Sequence, residues 1–271
     1  MPALPRFWSA LTTADFAQID TARAIAVLPV GATEQHGPHL PLSVDADIAH
    51  AIVQAAAPLV ADEVPAFFLP VQAIGYSPEH AHFAGTLTLR PETALRLWSD
   101  IAESVAASGV RKLVLFNTHG GNAGLLDGLA RELRARLRLL IYRCNWFDLP
   151  LLDEDGGDLM ARFSPQERRF GVHAGQVETA FMLAAAPHAV RRERAEHFRS
   201  SSEARARGFG LLALGFLLLG EGDLALGFGA GDSGLCLRVL FGGKAGGVQR
   251  GGALGEFGLQ AADFGLVLRR L

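Results

Sequence analysis

Apolar runs of strand length alternate with helix-length segments through the first 207 residues, and this alternation constrains the fold more tightly than any other feature of the chain. Residues 24–30 predict a strand, 46–60 an Ala-rich helix, 66–71 a second strand and 86–89 a short one. Pro91-Glu92-Thr93 opens a helix running to about Ser108, with proline in the first turn, where its missing N–H is tolerated. Residues 110–116 and 137–144 predict two more strands around a helix carrying Arg131, Arg134 and Arg136. Strand and helix in alternation imply an α/β fold, a mostly parallel sheet with helices on both faces.

Three polar clusters follow or punctuate these elements. Glu34, His36 and Asp45 come just after the first strand, where open α/β sheets build their sites. Period-two spacing in an extended segment points Glu34 and His36 to one side. Carboxylate oxygens with imidazole nitrogens suit Zn, Mn or Fe(II). Asn117-Thr118-His119-Gly120-Gly121-Asn122 follows the strand at 110–116, and its glycines let backbone approach a ligand or metal before a helix begins near Asn122. His173-Ala174-Gly175-Gln176-Val177-Glu178-Thr179 leads into an apolar helix with Glu178 in its first turn, where the helix dipole favours an anion. Each cluster alone has a plain reading: a solvated loop, a structural histidine in a turn, a charge at a helix start. Together they supply more donors than one four-coordinate zinc requires, and a binuclear site sharing a carboxylate is the natural inference.

The ordered segments Leu28-Pro29-Val30-Gly31-Ala32-Thr33-Glu34-Gln35-His36-Gly37-Pro38-His39-Leu40-Pro41-Leu42 through Asp45, His82-Phe83-Ala84-Gly85-Thr86, Asn117 to Asn122 and His173 to Thr179 resemble the creatininase (creatinine amidohydrolase) family over roughly residues 5–205. The resemblance implies a three-layer α/β/α sandwich, often assembled as a hexamer, and two divalent metal ions, Zn and/or Mn, with Fe also compatible. It further implies Glu34, Asp45 and His119 on one ion, and His36 with bridging Asp45 on the other. Creatininases proper carry a Glu two residues after the loop histidine; Gly121 stands there, which leaves Glu178 as the carboxylate expected on the second ion.

Two ions ~3.5 to 4 Å apart acidify a water and polarise a carbonyl, so the expected reaction is hydrolysis of a small amide or cyclic amide. His173 is expected to hand a proton to the departing nitrogen. Asn117 and Asn122 are expected to fix the loop by hydrogen bonds, and Gly120 and Gly121 to let the substrate close to the backbone. The family's creatinine pocket uses a Trp and an acid a few residues before the histidine matching His173. Arg168-Arg169-Phe170-Gly171-Val172 occupies that stretch, which argues against creatinine. Other readings are a metallopeptidase acting on a small modified peptide and a non-catalytic metal-binding maturation partner.

A net charge of −3 gives no case for nucleic acid, and Cys144 and Cys236 are too few for a disulfide framework, which suggests a reducing compartment. Asp15 and Asp20 interrupt any secretory apolar run, and cytoplasm is expected, without membrane attachment. The residues from Gly208 to Leu271 depart from all this: 18 of 64 are glycine, and Pro, His, Asn, Thr, Ile and Tyr are absent. Residues 1–207 are therefore expected to carry the site, with 208–271 an atypical tail that a shifted reading frame would explain, and that is expected to pack badly.

Overall fold

The computed structural model describes residues 4–153, 155–208 and 239–241. Strands β1 (Ile25–Val30), β2 (Ala66–Phe68), β3 (Lys112–Asn117) and β4 (Leu140–Asn145) form a wholly parallel sheet in the order β2-β1-β3-β4. β1 and β3 are in register from Ile25 opposite Lys112 to Val30 opposite Asn117, so the two central strands finish level with each other.

Side-chain alternation along these strands builds two cores. Ile25, Val27, Val114 and Phe116 face helix α1 (Val44–Ala56), through Val44, Ile48 and Ile52, together with Phe181 and Met182. Ala26, Leu28, Leu113 and Leu115 face the opposite way, onto Trp98, Ala102 and Val105 of α2 (Pro91–Ala107) and Leu126, Leu129 and Leu133 of α3 (Ala123–Leu137). Every residue of β1 is buried, as a strand covered on both faces must be. The three-layer α/β/α sandwich expected from the sequence is the architecture observed. α1 connects β1 to β2 across one face, whereas α2 and α3 make the next two crossovers on the other. The reversal falls between β1 and β3, and the chain leaves their C-terminal ends towards opposite faces of the sheet, the place where open α/β sheets form a crevice.

Several boundaries differ from expectation for local reasons. α1 begins at Val44, which puts Asp45 inside its first turn, and it gives way to a 3-10 turn at Ala57–Leu59 containing Pro58. β2 ends at Phe68, just ahead of Pro70. Residues 86–89 are not a strand of the sheet. Leu87 makes one antiparallel bridge to Thr33, and the Leu89 N–H donates to the Gly75 carbonyl, so the segment crosses loops at the end of the sheet. α3 continues to Leu137 and is stopped by Arg138 in the left-handed region, which delays β4 to Leu140.

Beyond β4, β5 (Leu151–Asp153) precedes α4 (Pro165–Phe170), whose Ser164 hydroxyl accepts the Glu167 N–H, then α5 (Gln176–Ala185) and α6 (Ser201–Gly208). The expectation that the 208–271 segment packs badly lies almost wholly outside the described residues; the described part, β6 (Val239–Phe241), pairs in parallel with β5.

Trp98 is fully buried between α2 and the sheet, and its indole N–H has no hydrogen-bond partner among the described residues. Trp98→Ala is expected to cost ~3 to 5 kcal/mol in urea unfolding. Trp98→Phe, which also removes the unpaired donor, is expected to cost clearly less; equal losses would contradict this packing.

Candidate metal centre

Close backbone approach brings the first cluster to the crevice. A Cβ on Gly31 would stand 3.0 Å from the Asp45 and Ala46 backbone, so glycine there lets the start of α1 press against the end of β1. Thr118, just past β3, donates its N–H to the Val30 carbonyl (2.9 Å) and its hydroxyl to the Asp45 carbonyl (2.8 Å). The loop after β1 turns through Gly37, at φ +71°, and closes where the Glu34 N–H donates to the Leu42 carbonyl. Glu34, His36, Asp45 and His119 are thereby all buried at one point.

The imidazoles are held in defined tautomers by backbone carbonyls. His36 donates from Nδ1 to the Glu34 carbonyl (3.0 Å), which leaves the Nε2 lone pair facing Asp45 Oδ1 at 3.7 Å and Glu178 Oε2 at 3.9 Å. His119 donates from Nε2 to the Tyr76 carbonyl (3.0 Å), so Nδ1 faces Glu34 Oε1 at 3.4 Å and Asp45 Oδ2 at 3.2 Å. His173 donates from Nε2 to the Gln35 carbonyl (2.6 Å), and its Nδ1 lies 3.5 Å from Glu34 Oε1. In each case one ring nitrogen is anchored and the other presents a lone pair to carboxylate oxygens, the arrangement of a metal-binding histidine with its outer partner. Two donors ~2.1 Å from one tetrahedral ion lie ~3.4 Å apart, and the separations here bracket that value. The two Asp45 oxygens face different imidazoles, one towards His36 and one towards His119.

Both Glu34 carboxylate oxygens, His36 Nε2 and Asp45 Oδ2 are buried without a hydrogen-bond partner among the described residues. Such atoms are expensive to leave unpaired, and their convergence fits a site built for cations. Among the described residues, ligand-type atoms fall within 4.8 Å of one another in three sets: Glu34, Asp45 and His119; His36, His173 and Glu178; Glu34, His80 and His173.

Electrostatics tells the same story. Burial works against a charge on His36 and His119, but Asp45 and its acidic neighbours outweigh it and hold both rings up to about 9, so at neutral pH the inner nitrogens carry protons and offer lone pairs only where a cation displaces them. Burial opposes ionisation of Asp45 too, and the neighbouring His119 and His36 still bring it down to about 2. Burial raises Glu34 and pushes Glu178 up to about 7. His173 goes the other way, pulled down to about 3 by burial and by the neighbouring His36 and His80.

Glu178 reaches the cluster from the first turn of α5, where one of its oxygens accepts the Ala174 N–H (2.6 Å) and holds Ala174 in the left-handed region at φ +51°. That turn aims His173 at the centre. Asn117 donates to the His119 carbonyl (2.7 Å) and to Asn145 (2.9 Å), while Asn122 donates to the Gly31 carbonyl (3.0 Å) and accepts the Tyr76 N–H (2.9 Å). These two amides tie together the loops at the ends of β1, β2 and β3. Gly121 has no room for a side chain, because a Cβ would collide with the Tyr76 carbonyl and the His119 ring; Gly120 opens onto free space.

His80 escaped the sequence reading. The segment was legible from His82 onward, yet His82 is exposed, whereas His80 stacks on His173 with ring centroids 4.2 Å apart and stands 3.7 Å from Glu34 Oε1. Its signal was Pro78, which starts a one-turn 3-10 helix ending at His80 and so faces that ring inward.

The creatininase family, described as creatinine amidohydrolase, matches residues 9–256. The chain is 36% identical over 190 residues to the mycofactocin precursor peptide peptidase of Mycobacterium tuberculosis, covering 68% of this chain and 67% of that protein. It is 33% identical over 127 residues to the creatinine amidohydrolase of Pseudomonas putida, covering 44% and 47%. Among solved structures, a creatinine amidohydrolase superposes with a TM-score of 0.57 at 26% identity over 82% of this chain and 96% of that one. A manganese form of creatininase gives 0.57 at 26% identity over 72% and 79%. With its sandwich, its crevice and its buried donors in place, the chain belongs to the creatininase family and is a metal-dependent hydrolase of carbon–nitrogen bonds.

Proposed function

We propose that the crevice holds two divalent ions, Zn and/or Mn, and hydrolyses an amide bond in a peptide-derived substrate rather than in creatinine. The observation that carries the two-ion reading is Asp45, whose two buried oxygens face His36 on one side and His119 on the other. Glu34, Asp45 and His119 would hold one ion; His36, Asp45 and Glu178 would hold the second. Manganese and zinc forms of creatininases among the similar structures support the choice of metals. The substrate class is supported by the peptidase relatives and by Arg168, Arg169, Phe170 and Gly171 on and after α4, which supply neither the indole nor the acid of a creatinine pocket. A small cyclic amide is the second reading, favoured by the shorter match to a creatinine amidohydrolase.

When bound, the ions would supply a water of lowered pKa and polarise the substrate carbonyl. The remaining work falls to the chain's own groups. His173, neutral in this setting, has its Nε2–H tied to the Gln35 carbonyl and a free lone pair on Nδ1. That atom takes a proton from the attacking water and passes it to the amide nitrogen as the C–N bond breaks, leaving a carboxylic acid and an amine, and the acid's proton then passes to the amine to give carboxylate and ammonium. Asn117 and Asn122 keep the His119 loop and the Gly31 turn in position, and open Gly120 gives the substrate access to the backbone. The same reading puts the protein in the cytoplasm as a homo-oligomer, hexameric as the family resemblance implies. Leu140 and Tyr142, exposed on the outer strand β4, support a covered surface there. Among the described residues no helix is long and apolar enough to cross a membrane.

Elemental analysis of protein never exposed to chelator is expected to give close to two divalent ions per chain. Asp45→Ala should lose both, whereas Glu34→Ala should chiefly empty the first site. A wild-type content at or below one, unchanged by added Mn or Zn, sinks the two-ion reading.

Metal uptake should also be coupled to protons. His36 and His119, held up to about 9 without metal, carry protons at pH 7, and ligation needs the neutral rings. Binding is therefore expected to release protons and to weaken as pH falls. Calorimetry in buffers of different ionisation enthalpy measures the release, and heats independent of buffer would contradict it.

A panel of peptide amides, lactams, formamides and creatinine tests the substrate class. Creatinine is expected among the poorest, and turnover of creatinine matching the best peptide amide would overturn the assignment.

A further inference from the structure

His80 lies within reach of Glu34 and His173 but is left out of the two ion sites proposed above, and its surroundings fix it in one orientation and one protonation pattern. The Gln35 side-chain oxygen accepts the Gly37 N–H at 3.0 Å, which turns the amide nitrogen towards the stacked pair of imidazoles. That nitrogen lies 2.9 Å from His80 Nδ1 and 3.1 Å from His173 Nε2. His173 Nε2 already donates its own proton to the Gln35 carbonyl, so it cannot also accept from the amide. The Gln35 amide therefore donates to His80 Nδ1, and the neutral His80 ring carries its proton on Nε2.

The two stacked rings thus show the centre opposite faces, a lone pair from His173 Nδ1 and an N–H from His80 Nε2. At 3.7 Å from Glu34 Oε1, His80 Nε2 is too far for a hydrogen bond, and among the described residues no other acceptor bonds to it. The His80 side chain is 18% exposed and that of His173 26%, while Glu34 is 1% exposed. Beside nearly inaccessible Glu34, these two rings are thus the neighbours that reach solvent.

We propose that His80 is a catalytic hydrogen-bond donor, its Nε2–H binding the carbonyl oxygen of the scissile amide and stabilising the negative charge that builds there. This rests on the amide-hydrolysis reading above. As the water oxygen bonds to the carbonyl carbon, the C=O π pair moves onto the oxygen that His80 holds. The pair then returns, the C–N bond breaks, and the nitrogen leaves with the proton that His173 Nδ1 took from the water. His80 keeps its proton throughout. A fixed donor aimed at developing charge is among the most effective devices of acyl-transfer catalysis.

The test uses the zinc-loaded full chain. His80→Phe preserves the stacked ring and removes the donor, and His80→Gln restores an N–H. His80→Phe is expected to lower kcat on the best peptide amide by about 10² to 10³-fold with KM little changed, and His80→Gln to recover part of the loss. Both variants should keep the wild-type metal content. Two readouts stand apart from turnover. Nitrogen-15 spectra of wild-type protein should show the His80 proton on Nε2, and His80→Phe should weaken binding of inorganic phosphate, a tetrahedral oxyanion, by about tenfold or more. Phosphate binding that depends on His80 in a protein idle on every amide would support the donor role while removing the proposed reaction. A His80→Phe variant that loses an ion would make His80 a ligand and overturn the proposal, as would unchanged kcat or a proton found on Nδ1.

Discussion

Three carboxylates and several imidazoles share a space from which solvent is almost excluded, and among the described residues Glu34, Asp45 and Glu178 have only histidines as their ion-pair partners. Isolated buried carboxylates are strongly disfavoured in a medium of low polarity, and the group either takes up protons or takes up cations. The raised pKa values of His36 and His119 are the proton solution to that problem. Metal ions are the other, and the backbone carbonyls of Glu34 and Tyr76 favour it by tying the outer ring nitrogens and turning the inner lone pairs to the centre.

This concentration of charge is tolerable because of where the fold puts it. With α1 on one face and α2 and α3 on the other, the sheet reverses its winding between β1 and β3. The crevice left there is walled by loops rather than by core side chains, and the amides of Asn117 and Asn122 lash those loops to the strand ends. Gly31 and Gly121 set the spacing, the first by letting α1 approach β1 and the second by leaving room for the Tyr76 carbonyl beside His119. Rigid strands below and satisfied hydrogen bonds around them fix donor positions to the precision a metal site needs.

Much of this was legible in the sequence. The alternation of apolar runs and helices gives the sheet and its layers because burial on two faces leaves an unbroken apolar signature in β1 and β3. Glu34, His36, Asp45, His119, Glu178 and His173 were readable because each sits just past the end of a strand or at the start of a helix, and the structure brings all six together. What stayed hidden depends on side-chain direction within loops. His80 and His82 are separated by a single residue, and no periodic rule decides which faces inward; the 3-10 turn begun by Pro78 does. Residues 86–89 read as a strand because Thr86 to Leu89 has strand-like composition, whereas the chain there answers to Thr33 and Gly75 instead of to the sheet.

The most direct measurement is anomalous diffraction at the zinc edge from crystals of the zinc-loaded protein. The account predicts two peaks ~3.5 to 4 Å apart, each within bonding distance of a different Asp45 oxygen, with His119 and Glu34 at one and His36 and Glu178 at the other. A single peak, or two peaks of which one does not touch Asp45, would contradict it.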